Sequence, residues 1–199
     1  MVKATGSKYK RDIQRPILDK LQYRFSPFKF QQKALDDLHL SNMFEAARWT
    51  PSAKNLQPWS FLYTENGATS FDQLLNCLTE KNKRWAKDAP ILMLCIYNCH
   101  DEQGNDNFYA LHDLGSAVAN MTLQAQEDGV AIHLMGGKET QQAKEIFNLP
   151  AKYHVSCIAA IGYYCLEDVT ISEDYKEEAA NSHKRKSRDT FVFKDSIRF

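Results

Sequence analysis

The sequence predicts a single domain in which a central β-sheet is covered by helices, either α/β or α+β. Two apolar runs without polar alternation, residues 90–97 and 155–163, read as strands buried on both faces. Residues 108–128, between them, carry an apolar stripe at helical spacing. The 199 residues hold no internal repeat and no low-complexity linker, and that length suits one domain and hardly two.

The elements follow in order. Leu35, Leu38, Met43, Phe44, Ala46 and Ala47 recur at roughly helical spacing, and Pro51 stops that helix. Residues 59–64 read as a short strand, and Phe71, Leu74, Leu75 and Leu78 form a second helical stripe. The run PILMLCIY, bounded by Pro and Asn, is a buried strand. The long helix aligns Leu111, Leu114, Gly115, Val118, Met121 and Ala125 along one side and is closed by Gly129. A short strand over 131–134 leads into Met135-Gly136-Gly137; residues 139–147 are helical, and the strand over 155–163 follows.

Composition removes several function classes. A hydrophobic content of 43% with only 8 Gly and 6 Pro argues against disorder or a fibre. Lys+Arg and Asp+Glu each number 25, and zero net charge argues against a dedicated nucleic-acid binder. The longest apolar run, residues 89–97, is about half a membrane span. Met1 is followed by no apolar stretch, and the early segment holds Asp12 and Asp19, so the expectation is a cytoplasmic protein without signal or transit peptide. Cys77, Cys95, Cys99, Cys157 and Cys165 have neither disulfide-framework nor zinc spacing; Cys95 and Cys157 sit in apolar runs and read as small hydrophobes. The six His form no ligand pair, so no metal is expected.

Charge is unevenly placed. Residues 1–30 carry 8 Lys/Arg against 2 acids, and residues 181–199 carry 6 against 2, on an acidic middle. Two basic ends are either solvated tails or groups that converge on one anion. A basic arm over 1–20 and one domain over 21–199 is the expected division.

Neither GxGxxG, GxxxxGK[ST] nor GxSxG occurs, so chemistry here would come from a bound cofactor. The most informative stretch is AARWTPSAKNLQPW, residues 46–59. After Pro51, a loop offers the Ser52 hydroxyl and the Asn55 and Gln57 amides before the strand at Trp59. Both hydrogen-bond senses suit the edge of a planar heteroaromatic ligand. The bland alternative is a capping turn in which Ser52 and Asn55 satisfy backbone groups.

This stretch resembles the nitroreductase family pattern AAR-x-APS-x-N-x-QPW, with Thr50 in place of Ala. Five further pieces match in chain order. Arg24-Phe25-Ser26 is similar to an N-terminal R-x-S that contacts the phosphate and ribityl chain of FMN. NKRWAKDAP, residues 82–90, resembles the segment whose Asn, here Asn82, meets the flavin. His112 to Ala117 with Asn120 is similar to the central helix, although Asp113 alone reads as a cap or a pair within that helix. Met135-Gly136-Gly137 matches a turn whose backbone approaches flavin N5 and O4. Lys186-Ser187-Arg188 resembles a C-terminal K-x-R that closes on the phosphate.

The resemblance implies an α+β nitroreductase-like fold, with a mixed central sheet wrapped by helices, in an intertwined homodimer with two FMN sites at its interface. It implies reduction of nitroaromatic, quinone or similar electron-poor small molecules by NADH or NADPH, through ping-pong hydride transfer at flavin N5. Pro51, Ser52, Asn55, Gln57 and Asn82 would hold the ring edge, with Met135, Gly136 and Gly137 near N5. Arg24, Phe25, Ser26, Lys186 and Arg188 would hold the ribityl phosphate. No catalytic side chain, metal, nucleic acid or membrane partner is implied. The alternatives are another flavin reaction on this fold (dehalogenation, flavin fragmentation or thiazoline oxidation) and a non-enzymatic flavin-binding or redox-sensing protein. Phe28 and Trp85 depart from the pattern, standing where members carry basic residues near flavin N1–C2=O; Lys29, Lys83, Arg84 or backbone donors are the replacements to consider.

Overall fold

In the computed structural model, which describes residues 13–136, 140–164, 175, 177, 181 and 184–197, the chain begins with α1 (Asp19–Tyr23) and α2 (Asp37–Arg48). There follow β1 (Trp59–Glu65), α3 (Thr69–Asn76), α4 (Glu80–Ala86) and β2 (Ile91–Asn98). Then come α5 (Ala110–Glu127), β3 (Val130–Met135), α6 (Thr140–Ile146) and β4 (Tyr153–Tyr163). Local chemistry sets several boundaries. Asp36 caps α2 by accepting from the Leu38 N–H at 2.8 Å, and Thr79 caps α4 by accepting from the Asn82 N–H at 3.2 Å. Asn82 is therefore not a cap. Beyond α5, Gly129 takes φ +72°, the left-handed turn that ends a helix.

The four strands form one sheet in the order β1-β2-β4-β3. Every pairing is antiparallel, with Leu94 against both Leu62 and Ile158, and Ile158 against Met135. The α+β class and the helix-covered sheet are as expected; the described strands differ in being antiparallel throughout rather than mixed. The apolar runs reported burial, and burial here comes from helices on both faces, which says nothing of strand direction.

Alternation along the strands divides the core in two. One face gathers Ile91, Met93, Cys95, Val130, Ile132, Ala159 and Ile161 against Leu40, Met43 and Ala47 of α2 and Leu114, Ala117, Val118 and Met121 of α5. The other gathers Leu92, Leu94, Ile96, Met135, Ile158 and Ala160 against Phe71 and Leu74 of α3, Trp85 of α4 and Ala143 of α6. Leu111 and Gly115 leave the expected α5 stripe: Leu111 is 52% exposed, and a Cβ added at Gly115 would meet nothing within 4 Å. α5 thus buries one face and leaves a second open. Among the described residues, no helix is long and apolar enough to cross a membrane.

Candidate functional site

The loop after α2 is fixed from beneath by α5. Buried Asp113 accepts from the Ala53 N–H at 3.0 Å, and Asn120 donates its amide to Thr50 Oγ1 at 2.8 Å. Asp113 therefore reaches across to the loop through Oδ2 and, within its own helix, also lies 3.4 Å from His112 Nδ1 through Oδ1. Ser52 Oγ accepts from the Gln57 N–H at 2.9 Å, and the Gln57 amide donates to the Asn55 carbonyl at 3.2 Å. Ser52 does act as a turn residue, but the turn is an unusual one. Lys54, Asn55 and Gln57 all have positive φ, at 52°, 57° and 47°. Left-handed non-glycine residues cost free energy, and their clustering in one short loop is a mark of functional segments. Pro51, Asn55 and Gln57 are exposed.

A second group of residues meets on the other face of the sheet. Asn82 lines a small cleft with Thr79, Met135, Gly136 and Thr140. Its half-buried amide makes no side-chain hydrogen bond among the described residues, and a Cβ on Gly136 would meet nothing within 4 Å. The turn therefore has room on its outer side. Gly137 lies outside the described residues.

The N-terminal segment runs beside β3. His133 bonds the Pro27 carbonyl through Nδ1 at 2.8 Å, and Phe25 meets Tyr164 edge to face at 4.8 Å. Arg24 donates to Ser26 Oγ at 3.5 Å. Burial, and then the neighbouring charge of Arg185, hold the Arg24 guanidinium below its usual range. Arg185, from the basic C-terminal end, is thus near enough to Arg24 for its charge to act there. Lys186 and Arg188 follow it directly and are exposed, with Arg188 opening a single 3₁₀ turn to Thr190.

Phe28 and Trp85, the two departures from the family pattern, pack against each other at 5.4 Å. His133 stacks on Trp85 at 4.4 Å and meets the edge of Phe28 at 4.8 Å, while Tyr175 stacks on Phe28 at 4.7 Å. One aromatic cluster occupies both places. The buried indole N–H of Trp85 has no hydrogen-bond partner among the described residues. His133 and Arg185 are the members of this region that sequence reasoning passed over. Period-two alternation puts His133 on the same face as Met135, a signal that was available; nothing in the sequence ranks Arg185 above its basic neighbours.

These groups do not form one cleft within a single chain. The loop 52–57 lies on the α2/α5 face at the β1 edge, whereas Asn82, Met135 and Gly136 lie on the opposite face at the β3 edge. Three strand spacings, about 14 Å, and the thickness of the sheet separate them.

A helix-covered antiparallel sheet with a strained polar loop and an open turn defines an α+β domain. The nitroreductase family model matches residues 21–82 and 68–163, and the chain belongs to that family. A solved structure described as an oxidoreductase containing FMN is 26% identical, covering 94% of this chain and 96% of that one, with a TM-score of 0.86. A Bacillus subtilis protein provisionally named NAD(P)H nitroreductase YfhC is 21% identical over 74% of this chain and 84% of its own length. A Streptomyces coelicolor protein provisionally named NADH dehydrogenase/NAD(P)H nitroreductase is 35% identical, the match spanning 33% of this chain and about a third (32%) of that relative.

Proposed function

We propose that the protein is an FMN-dependent NAD(P)H oxidoreductase that reduces nitroaromatic, quinone or similar electron-poor acceptors in a ping-pong cycle. The observation that carries this reading is Arg24, bonded to Ser26 and within electrostatic reach of Arg185. Two guanidinium groups near one hydroxyl, Arg24 half-buried and Arg185 exposed, suit a doubly charged phosphate monoester. From His133, near that cluster, to Gly136 is three residues of extended chain, about 10 Å. A molecule with a phosphate at one end and a ring at the other fits that span.

FMN, when bound, would supply the hydride chemistry that the side chains lack. Arg24, Ser26 and Arg185 would hold its phosphate, with Lys186 and Arg188 adding charge. Asn82 would supply an amide to the ring edge, and the Met135-Gly136-Gly137 backbone would allow close approach. Ser52 and Asn55 would serve the ring of the second site in a homodimer, since their loop lies on the far side of its own sheet. The open stripe at Leu111 and Gly115 and the exposed Ile17 and Leu18 near the N-terminus support burial against a second copy.

Purified protein is tested for bound flavin by its absorbance, then for bleaching by NADH or NADPH without oxygen and reoxidation by nitrofurazone or menadione. Absence of bleaching with both nicotinamides overturns the reductase reading and leaves a flavin-binding or redox-sensing protein. Light scattering on wild type and Leu111→Asp tests the dimer: the variant is expected to dissociate and to lose FMN with its partner's loop. A wild-type monomer with full flavin occupancy overturns the shared site.

A further inference from the structure

The strand register sets Cys95 of β2 opposite Cys157 of β4. Opposed residues of an antiparallel pair have Cα atoms about 4.5–5.5 Å apart, inside the roughly 4.4–6.8 Å that a disulfide spans. Both side chains point to the α2/α5 face, where Cys95 belongs to the core and Cys157 packs against it. The ladder shifts register between Cys95 and Ile96, where Ser156 is the extra residue on β4, and such a bulge gives the backbone local freedom to adjust. Each thiol is the first cause of the other's displaced ionisation, upward for Cys95 and downward for Cys157. Exposure divides the pair unequally, with Cys95 fully enclosed and Cys157 half-buried. Solvent therefore reaches Cys157 and not Cys95, the order of access that thiol–disulfide exchange requires.

We propose that Cys95 and Cys157 form a reversible two-electron thiol site, oxidised to a cross-strand disulfide by low-molecular-weight disulfides. The Cys157 thiolate attacks one sulfur of the small disulfide, forms a mixed disulfide and displaces the first small thiolate. Cys95 then attacks the Cys157 sulfur, forming the cross-strand bond, and its proton leaves with the second small thiolate that is expelled. The protein gives up two electrons and two protons, and the small disulfide becomes two thiols. Ile158, the next residue, pairs with Met135, so the new bond lies one row from the turn at Gly136. This site is independent of the flavin reading. The other described cysteines lack the arrangement: Cys77 is enclosed at the end of α3, and Cys99 lies against Lys152, its Sγ 3.1 Å from His100 Nδ1.

The test treats the full-length protein, as purified, with oxidised glutathione, blocks free thiols by alkylation and maps the peptides by mass. The expected result is loss of two of the five thiols, a Cys95–Cys157 cross-linked peptide, and full reversal by dithiothreitol. Cys95→Ser is expected to trap glutathione on Cys157, and Cys157→Ser to prevent reaction at Cys95. If neither variant folds, the wild-type map decides alone. Retention of all five thiols, a lasting glutathione adduct on wild-type Cys157, or a cross-link through Cys99 overturns the proposal.

Discussion

Arg24 and Arg185 come from opposite ends of the chain, and the charge of Arg185 helps to depress the ionisation range of Arg24. Guanidinium groups drawn from both ends of the chain suit the oxygens of a bound phosphate. Removing either guanidinium is expected to cost about 1.5–3 kcal/mol of FMN binding, roughly ten- to a hundredfold in affinity. Titrating FMN and riboflavin into the flavin-free forms of Arg24→Ala, Arg185→Ala and Arg188→Ala checks this. FMN should suffer and riboflavin should not, with Arg188 mattering less than Arg185, whose charge acts on Arg24. Equal losses for both ligands would assign these arginines to the fold.

Asn55 holds a left-handed backbone at φ 57°, so an alanine there mixes amide loss with backbone strain of roughly 1–2 kcal/mol. Asn55→Gly removes the amide while tolerating the conformation. The Gly variant is expected to keep its unfolding midpoint within a few degrees and to lose flavin affinity or turnover. Unchanged flavin function would make Asn55 a turn residue.

Asp113 is the acceptor that holds the loop at Ala53. Asp113→Ala strands that N–H and is expected to destabilise the protein by about 1–3 kcal/mol in urea unfolding. Asp113→Asn keeps an acceptor oxygen and should lose much less. Equal losses would show that charge rather than the hydrogen bond matters.

Glu45 lies exposed at the end of α2, where its carboxylate accepts from Arg48 Nε at 2.7 Å and from the Trp49 indole at 2.8 Å. The Arg48 and Trp49 hydrogen bonds lower its pKa to about 2 from 4.5. A depressed carboxylate contributes stability above its unfolded value, and that contribution fades as pH falls from about 4.5 to 2. Carboxyl NMR should place the Glu45 midpoint near 2, and Trp49→Phe should raise it. A midpoint at the ordinary value in wild type would mean that the pair does not persist in water.

Gly162 lies where a Cβ would come within 2.5 Å of Pro90 Cδ and 3.0 Å of Phe30 Cδ1. The proline ring cannot turn aside, so Gly162→Ala is expected to destabilise by about 1–3 kcal/mol in thermal unfolding. Flavin affinity should be spared at temperatures where the variant is folded.

Much of this fold is written locally. The apolar run at 90–97 holds a strand enclosed from Ile91 to Ile96, the stripe from Leu114 to Ala125 is a helix, and Gly129 ends it, because burial and helical period leave direct marks on residue order. The order of motifs identified the family, and unequal charge flagged both chain ends. Tertiary structure decided what those marks omit. Hydrophobicity carries no strand direction, so the antiparallel pairing came only from the assembled sheet. Residues distant in sequence have no shared local signal, so Asp113 with Ala53, Arg24 with Arg185 and Cys95 with Cys157 emerged only when the backbone brought them together. The separation of the loop at Ser52 and Asn55 from the cleft at Asn82 and Gly136 is likewise invisible in one dimension, because it depends on which face and edge of the sheet each connection reaches.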